Sequence, residues 1–251
     1  FFMTYLFLIK FLNLLQVNIN RYFILSILSG SGLSYFAFER FSMTHVYEAF
    51  TMSLLIYLLL SVYLQESKFT TIKVILIPFV IFLSFITRMS NYYILLIPYL
   101  VYLVLKRNGH IVIFKLHKNI FFYISLVFSF VLYFQLSTVL YGELIFDPQR
   151  IYGTDLSPGS IITSNDGVFA LLINSVKSSI IVFFSLEFGI FWVSPIIFIS
   201  IGVTLQKIEY FKQLDTYIFL ICIAQNIFII HLWQTTASSY GFRYLFSLVP
   251  I

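Results

Sequence analysis

Ten apolar runs, most of them near the length that crosses a lipid bilayer, decide what this chain can become. They cover residues 1–15, 22–38, 46–64, 72–86, 92–105, 120–141, 168–186, 188–205 and 217–233, with a last one starting at 244. A helical span takes about 20 apolar residues, and several runs reach that once their flanks are counted. None alternates apolar and polar residues as barrel strands do. Inside lipid each backbone N–H and C=O must be satisfied within the protein, so runs of this kind are helices. The composition excludes the soluble alternative. Only 10% of the 251 residues are charged and 60% are hydrophobic, with a mean hydropathy of +0.97. A soluble domain carries about 25% charged residues to cover its surface. The expected fold is therefore an all-α polytopic membrane protein of about eight to ten membrane segments, forming one transmembrane domain over residues 1–251. Both ends lie inside apolar runs, so both are expected to be truncated. The single cysteine, Cys222, also lies in an apolar run, so no disulfide or thiolate metal site can form within the chain.

Charge sets the expected orientation. Lys106, Arg107, Lys115 and Lys118 cluster in one connection without an acidic residue, which assigns it to the cytoplasm. Lys68, Lys73, Lys207, Lys212, Lys10 and Arg21 fit the same side. The net charge of +5 thus marks topology and not nucleic-acid binding. The outer side receives residues 39–45, 88–91, 142–167 and 234–243. The loop 141–167 is the only long polar segment and carries Glu143, Asp147, Arg150, Asp155 and Asp166. It is either a binding loop or a plain external loop. Parity then leaves one run too many. The run 168–186 has Lys177 near its middle, at a cost of about 2.5–3.5 kcal/mol for insertion. It is expected to be an interfacial or re-entrant helix on the outer side.

The stretch ERFSMTHVYE, Glu39 to Glu48, gathers two Glu, one Arg and one His between two apolar runs. Titratable groups at a membrane boundary suit a site for a polar substrate, although an ordinary solvated loop would look similar. With the assigned topology, Arg88 with Asn91, Glu187, His231 and Arg243 reach the same edge. Two arginines at the lipid boundary suit a phosphate or pyrophosphate, because each guanidinium offers a fixed fork of donors. Each alone is as well explained by snorkelling to lipid headgroups. Carboxylates beside them could act as a general base toward a sugar hydroxyl. His45 and Glu48, three residues apart at a helix start, can share a face, as a structural pair or as metal ligands. No Walker loop, GxGxxG, GxSxG or HExxH motif is present.

Four segments carry a family resemblance. SMTHVYEAF (42–50) is similar to the MSH-x-Y-x-F helix start of bacterial GT-C membrane glycosyltransferases, the mannosyl- and arabinosyltransferase-like enzymes that use polyprenyl-phosphate sugars. FITRMSNYYILLIPYL (85–100) resembles their R-P-T-N span, with Met89 in place of the Pro and Ser90 in place of the Thr. FGIFWVSPIIF (188–198) resembles their G-L-F-x-x-S-P span, and YGFRYLFSLVP (240–250) their G-x-R-Y-L-x-x-x-P span. The four occur in the family's order and cover most of the chain. The resemblance implies a multi-span helical bundle in the bacterial inner membrane with its site on the periplasmic or extracellular side. It implies inverting transfer of a hexose or pentose from a polyprenyl-phosphate donor to a lipid, glycan or protein acceptor. Arg88, Arg243, His45, Glu48, Asn91 and Tyr240 become the expected substrate-binding residues. The family's catalytic Asp follows its first span, a region expected to precede Phe1, so no residue here takes that role. A divalent cation serves some relatives and not others, and no metal ligand is assigned. Two competing readings remain: an O-antigen-type polymerase or ligase, with Arg150 as its candidate arginine, and a lipid-linked-sugar transporter, which would place charges near mid-membrane.

Overall fold

The computed structural model describes residues 1–16, 18–31, 33–39, 45–65, 70–87, 92–107, 111–113 and 115–145, together with Ile180, Phe184 and Trp192. The regular elements among the described residues are all helices, with no strand among them: α1 (Phe2–Leu14), α2 (Arg21–Gly30), α3 (Leu33–Phe38), α4 (His45–Leu64), α5 (Thr70–Thr87), α6 (Ile97–Arg107) and α7 (Ile120–Tyr141). Short 3₁₀ turns at Tyr92–Leu95 and Leu116–Lys118 lead into α6 and α7. Among the described residues three helices are long and apolar enough to cross a membrane: α4 with 20 residues, α5 with 18 and α7 with 22. At about 1.5 Å per residue they measure roughly 27–33 Å, the thickness of the hydrocarbon layer. The expected runs 1–15, 22–38 and 92–105 carry the shorter helices, whereas most of the loop 141–167 and the runs from 168 onward, apart from Ile180, Phe184 and Trp192, lie outside the described residues.

Two apolar runs are not continuous helices, for local reasons. The run 22–38 divides into α2 and α3 at Ser31. The Ser31 hydroxyl donates to Leu28 O (2.7 Å) and accepts from Leu33 N (3.4 Å), so a side chain takes over the bonding where the helix stops. The run 92–105 divides because of Pro98. An unbroken α-helix would need an N–H at position 98 for the carbonyl of Ile94, and proline has none. The chain makes a 3₁₀ turn first, and α6 starts with Pro98 in its first turn, where no donor is missed. Pro78, by contrast, sits inside α5 without ending it.

Helix ends follow simple capping chemistry. Asn20 accepts from Tyr22 N at the start of α2, and Asn119 accepts from Phe121 N at the start of α7, each at 2.9 Å. The α7 helix ends at Gly142, whose φ of +80° is the left-handed conformation that glycine adopts without a Cβ penalty.

Packing centres on α4, the most enclosed of the three long helices, whereas α7 is the least. One apolar cluster joins α4 to α5, α6 and the turn at Leu116 through Leu55, Leu59, Ile77, Ile97 and Leu116. A second joins the first turns of α4 to α1, α2 and α3 through Ala49, Leu8, Ile24, Leu28 and Leu33. Phe7 of α1 stacks on Phe50 and Tyr57 of α4 at 6.0 and 5.4 Å, and Lys10 one turn later lies over Tyr57. These pairs advance together, so α1 and α4 run in the same direction. In the same way Ser125 meets Ile75 and Tyr133 meets Phe82 and Phe85, so α7 runs parallel to α5.

The seam between α5 and α7 is a stripe at four-residue spacing: Ser125, Ser129, Tyr133 and Ser137 are the buried residues of α7. Small residues let the backbones approach closely. Ser125 donates to Ile75 O at 2.7 Å, a bond that joins the two helices directly. Tyr133 donates to Ile145 O (2.7 Å), and Ser137 donates to Glu143 O and accepts from Ile145 N, both at 2.9 Å. These bonds tie the chain after Gly142 back onto the last turns of α7. Ser129 differs from the rest: its hydroxyl has no hydrogen-bond partner. It lines an apolar cavity of about 200 Å³ with Pro78, Phe82, Phe85 and Phe130.

This contrast predicts different mutational costs on one stripe. Ser125→Ala should destabilise the folded protein by about 1 kcal/mol, the usual net value of a hydrogen bond. Ser129→Ala should cost nothing or stabilise slightly, because the group lost is unsatisfied. Unfolding equilibria in mixed micelles would measure both. Equal costs for the two would contradict this account of the seam.

Candidate functional site

The polar residues separate by end. Because α1 and α4 are parallel, and α5 and α7 are parallel, the starts of the first pair define one end of the bundle. The hairpin between α4 and α5, connected by residues 65–69, brings the ends of α5 and α7 to that same end. It carries Thr4, His45, Glu48, Ser84 and Glu143. The opposite end carries Lys10, Lys73, Lys106, Arg107, Lys115 and Lys118. Of the basic residues that set the expected orientation, these six are gathered at one end in three dimensions, while Lys68, Lys207 and Lys212 lie outside the described residues.

His45 and Glu48 form the best-defined part of the candidate site. They occupy the first turn of α4, and the helical spacing turns both side chains to one side. His45 Nδ1 lies 3.6 Å from Glu48 Oε2, beyond direct hydrogen-bond reach, so their contact is electrostatic. Both are almost completely enclosed, His45 at 2% and Glu48 at 1% exposure. Ionisable side chains of this kind are rarely buried unless paired. The site is positioned by packing. Ala49, the next residue on α4, is fully buried with Leu8, Leu28 and Leu33 of α1, α2 and α3, which fixes the rotation of the helix. The helix start also favours a carboxylate, because the unpaired N–H groups of the first turn carry partial positive charge. Thr51 Oγ1 donates to Glu48 O at 3.1 Å, closing that turn.

Two hydroxyls lie buried at the same end and have no hydrogen-bond partner: Thr4 on α1 and Ser84 on α5. Sequence reasoning did not single them out. A hydroxyl inside an apolar run carries no signal of its own, since most such groups bond back to their own helix, as Ser53 does to Phe50 O and Ser61 to Leu58 O. Glu39, in the stretch that drew attention, is exposed just after α3.

The structure thus brings His45 and Glu48 together. Arg88, Asn91, Tyr240 and Arg243 lie outside the described residues, as do Arg40, Arg150, Glu187 and His231. Among the described residues no three His, Cys, Asp or Glu side chains gather into a metal site. His45 and Glu48 could supply two ligands to a divalent cation, which would need the rest from elsewhere in the chain or from substrate.

A double-mutant cycle tests the pair. His45→Ala and Glu48→Ala should each destabilise the protein, by up to about 3 kcal/mol, because each removes one side of a buried electrostatic contact. The double variant should cost less than the sum of the two, by about 1 kcal/mol or more. Additivity to within about 0.5 kcal/mol would mean that the two side chains do not act together.

No protein-family model, no curated protein and no solved structure matches this chain.

Proposed function

We propose that this chain belongs to a membrane glycosyltransferase of the GT-C type, which transfers a sugar from a polyprenyl-phosphate donor to an acceptor at the non-cytoplasmic face. The observation that carries the reading is the enclosed His45–Glu48 pair in the first turn of a membrane-crossing helix. An ionisable pair is expensive to keep in such a place, so its presence points to function. It falls within SMTHVYEAF, the segment that resembles the family's helix start. A lipid phosphate has its tail in the bilayer and its charge at the boundary, so the groups that hold it belong at span ends. The apolar end-to-end faces of α5 and α7 give the tail a hydrocarbon setting, and the basic residues at the far end leave this end for the chemistry.

In this reading Arg88 and Arg243 hold the donor phosphate through bidentate hydrogen bonds. His45, Glu48, Asn91 and Tyr240 line the sugar and orient it.

The test is a transfer assay in membranes with a radiolabelled polyprenyl-phosphate sugar and an extract of acceptor glycans. Arg243→Ala and Arg88→Ala should weaken donor binding by about 10- to 100-fold, the worth of a charged hydrogen bond. Arg243→Lys should restore only part, because lysine keeps the charge and loses the fork. His45→Ala and Glu48→Gln should instead lower turnover, by up to about a hundredfold if they orient the sugar, with donor affinity little changed. Unaltered transfer in the Arg88→Ala, Arg243→Ala double variant, shown to be folded, would end the proposal.

A further inference from the structure

Between α6 and α7, at the basic end of the bundle, the described residues 111–113 present an alternating face. Ile111 is 84% exposed and Ile113 45% exposed, while Val112 between them packs on the core. This is an extended segment with one side turned outward. Its inner side is fixed at several points. Ile113 N donates to Tyr63 O at 2.9 Å, satisfying a carbonyl at the end of α4. Leu116 is buried in the main cluster, the His117 ring lies 5.0 Å from that of Tyr102, and Tyr123 donates to His117 O at 2.8 Å. Lys106, Lys115 and Lys118 are exposed around it. Residues 106–119 contain no Asp or Glu in the sequence.

Exposed isoleucines interleaved with exposed lysines, at the end of three helices long and apolar enough to cross a membrane, have a specific chemical complement. We propose that this connection is a binding surface for anionic phospholipid headgroups. Ile111 and Ile113 enter the boundary between headgroups and acyl chains, and Lys106, Lys115 and Lys118 contact the phosphates. Charge complementarity selects the occupant. Zwitterionic lipid would satisfy the apolar side chains equally but not three lysines without a carboxylate among them. Orientation of the chain during insertion needs only that the positive charges lie near a span. It does not need them to be held around an ordered apolar edge. The inference rests on the membrane-crossing helices and is independent of sugar transfer.

The full chain would be reconstituted into phosphatidylcholine nanodiscs, with spin-labelled phosphatidylglycerol or spin-labelled phosphatidylcholine as the probe. The unaltered protein should hold the anionic probe in preference to the zwitterionic one, and added salt should weaken the preference. Lys106→Gln, Lys115→Gln and Lys118→Gln together should reduce that preference, by up to about fivefold per lysine removed. The corresponding Lys→Arg variant should keep it. A nitroxide on Ile111→Cys, in a Cys222→Ser background, should be relaxed more by lipid-soluble oxygen than by a water-soluble nickel chelate. That measurement stands even if the triple variant fails to fold. An unchanged preference in the folded triple Gln variant would overturn the proposal. So would a label at position 111 as open to the nickel chelate as one in bulk water, which would mean that the face meets solvent or a soluble partner.

Discussion

Hydrocarbon offers no hydrogen bonds, and that deficit organises the described structure. Hydroxyls and loosened carbonyls therefore tend to find partners inside the protein, with Thr4, Ser84 and Ser129 as exceptions. Most do so within one turn: Ser26 bonds to Tyr22 O, Thr51 to Glu48 O, Thr87 to Ser84 O and Thr138 to Phe134 O. The bonds that join separate elements use the same chemistry over longer distances. Tyr63 reaches Pro98 O, Ser125 reaches Ile75 O and Tyr133 reaches Ile145 O, at 2.9, 2.7 and 2.7 Å. In each case a side-chain hydroxyl meets a backbone carbonyl, a pairing that introduces no charge.

Such a bundle cannot derive its cohesion from the hydrophobic effect alone, because lipid is as apolar as leucine. Close packing and these few polar ties must specify which helices touch. The α5–α7 seam illustrates this. Its four-residue stripe of Ser and Tyr allows close approach, and the bond from Ser125 to Ile75 O pins the two helices at one point of the register. The outward face of α7 is left with exposed Phe128, Phe130, Phe134 and Val131, as a helix facing lipid or further protein should be. The α4 helix differs, being enclosed on most sides, and this is why two ionisable groups in its first turn are removed from water.

The two ends of the bundle do different things with charge. The basic end keeps its lysines exposed, where long side chains and water cost them little. The other end hides one histidine and one carboxylate beside apolar contacts. A surface pair of this kind would contribute little. An enclosed one carries a desolvation cost that only its partners or a ligand can offset, and this asymmetry gives the His45–Glu48 end its functional interest.

Sequence alone determined the class of fold. Runs of span length with almost no charge leave only membrane helices, and α4, α5 and α7 fall on the runs 46–64, 72–86 and 120–141 with small shifts at their ends. It also determined that His45 and Glu48 could meet, because a three-residue separation at a helix start has one geometry. The breaks at Ser31 and Pro98 were less legible. A run's hydropathy does not register which backbone donor is missing, although Pro98 carried the signal. Tertiary structure decided the rest. Apolar periodicity cannot say which helices pack together, since all faces of such runs are apolar. Only the parallel pairing of α1 with α4 and of α5 with α7 assigns the buried Thr4 and Ser84 to the same end as the pair. Likewise, only the folded connection after α6 turns Val112 and Leu116 inward and leaves Ile111 and Ile113 out. Burial depends on neighbours far away in the chain, and no local pattern encodes it.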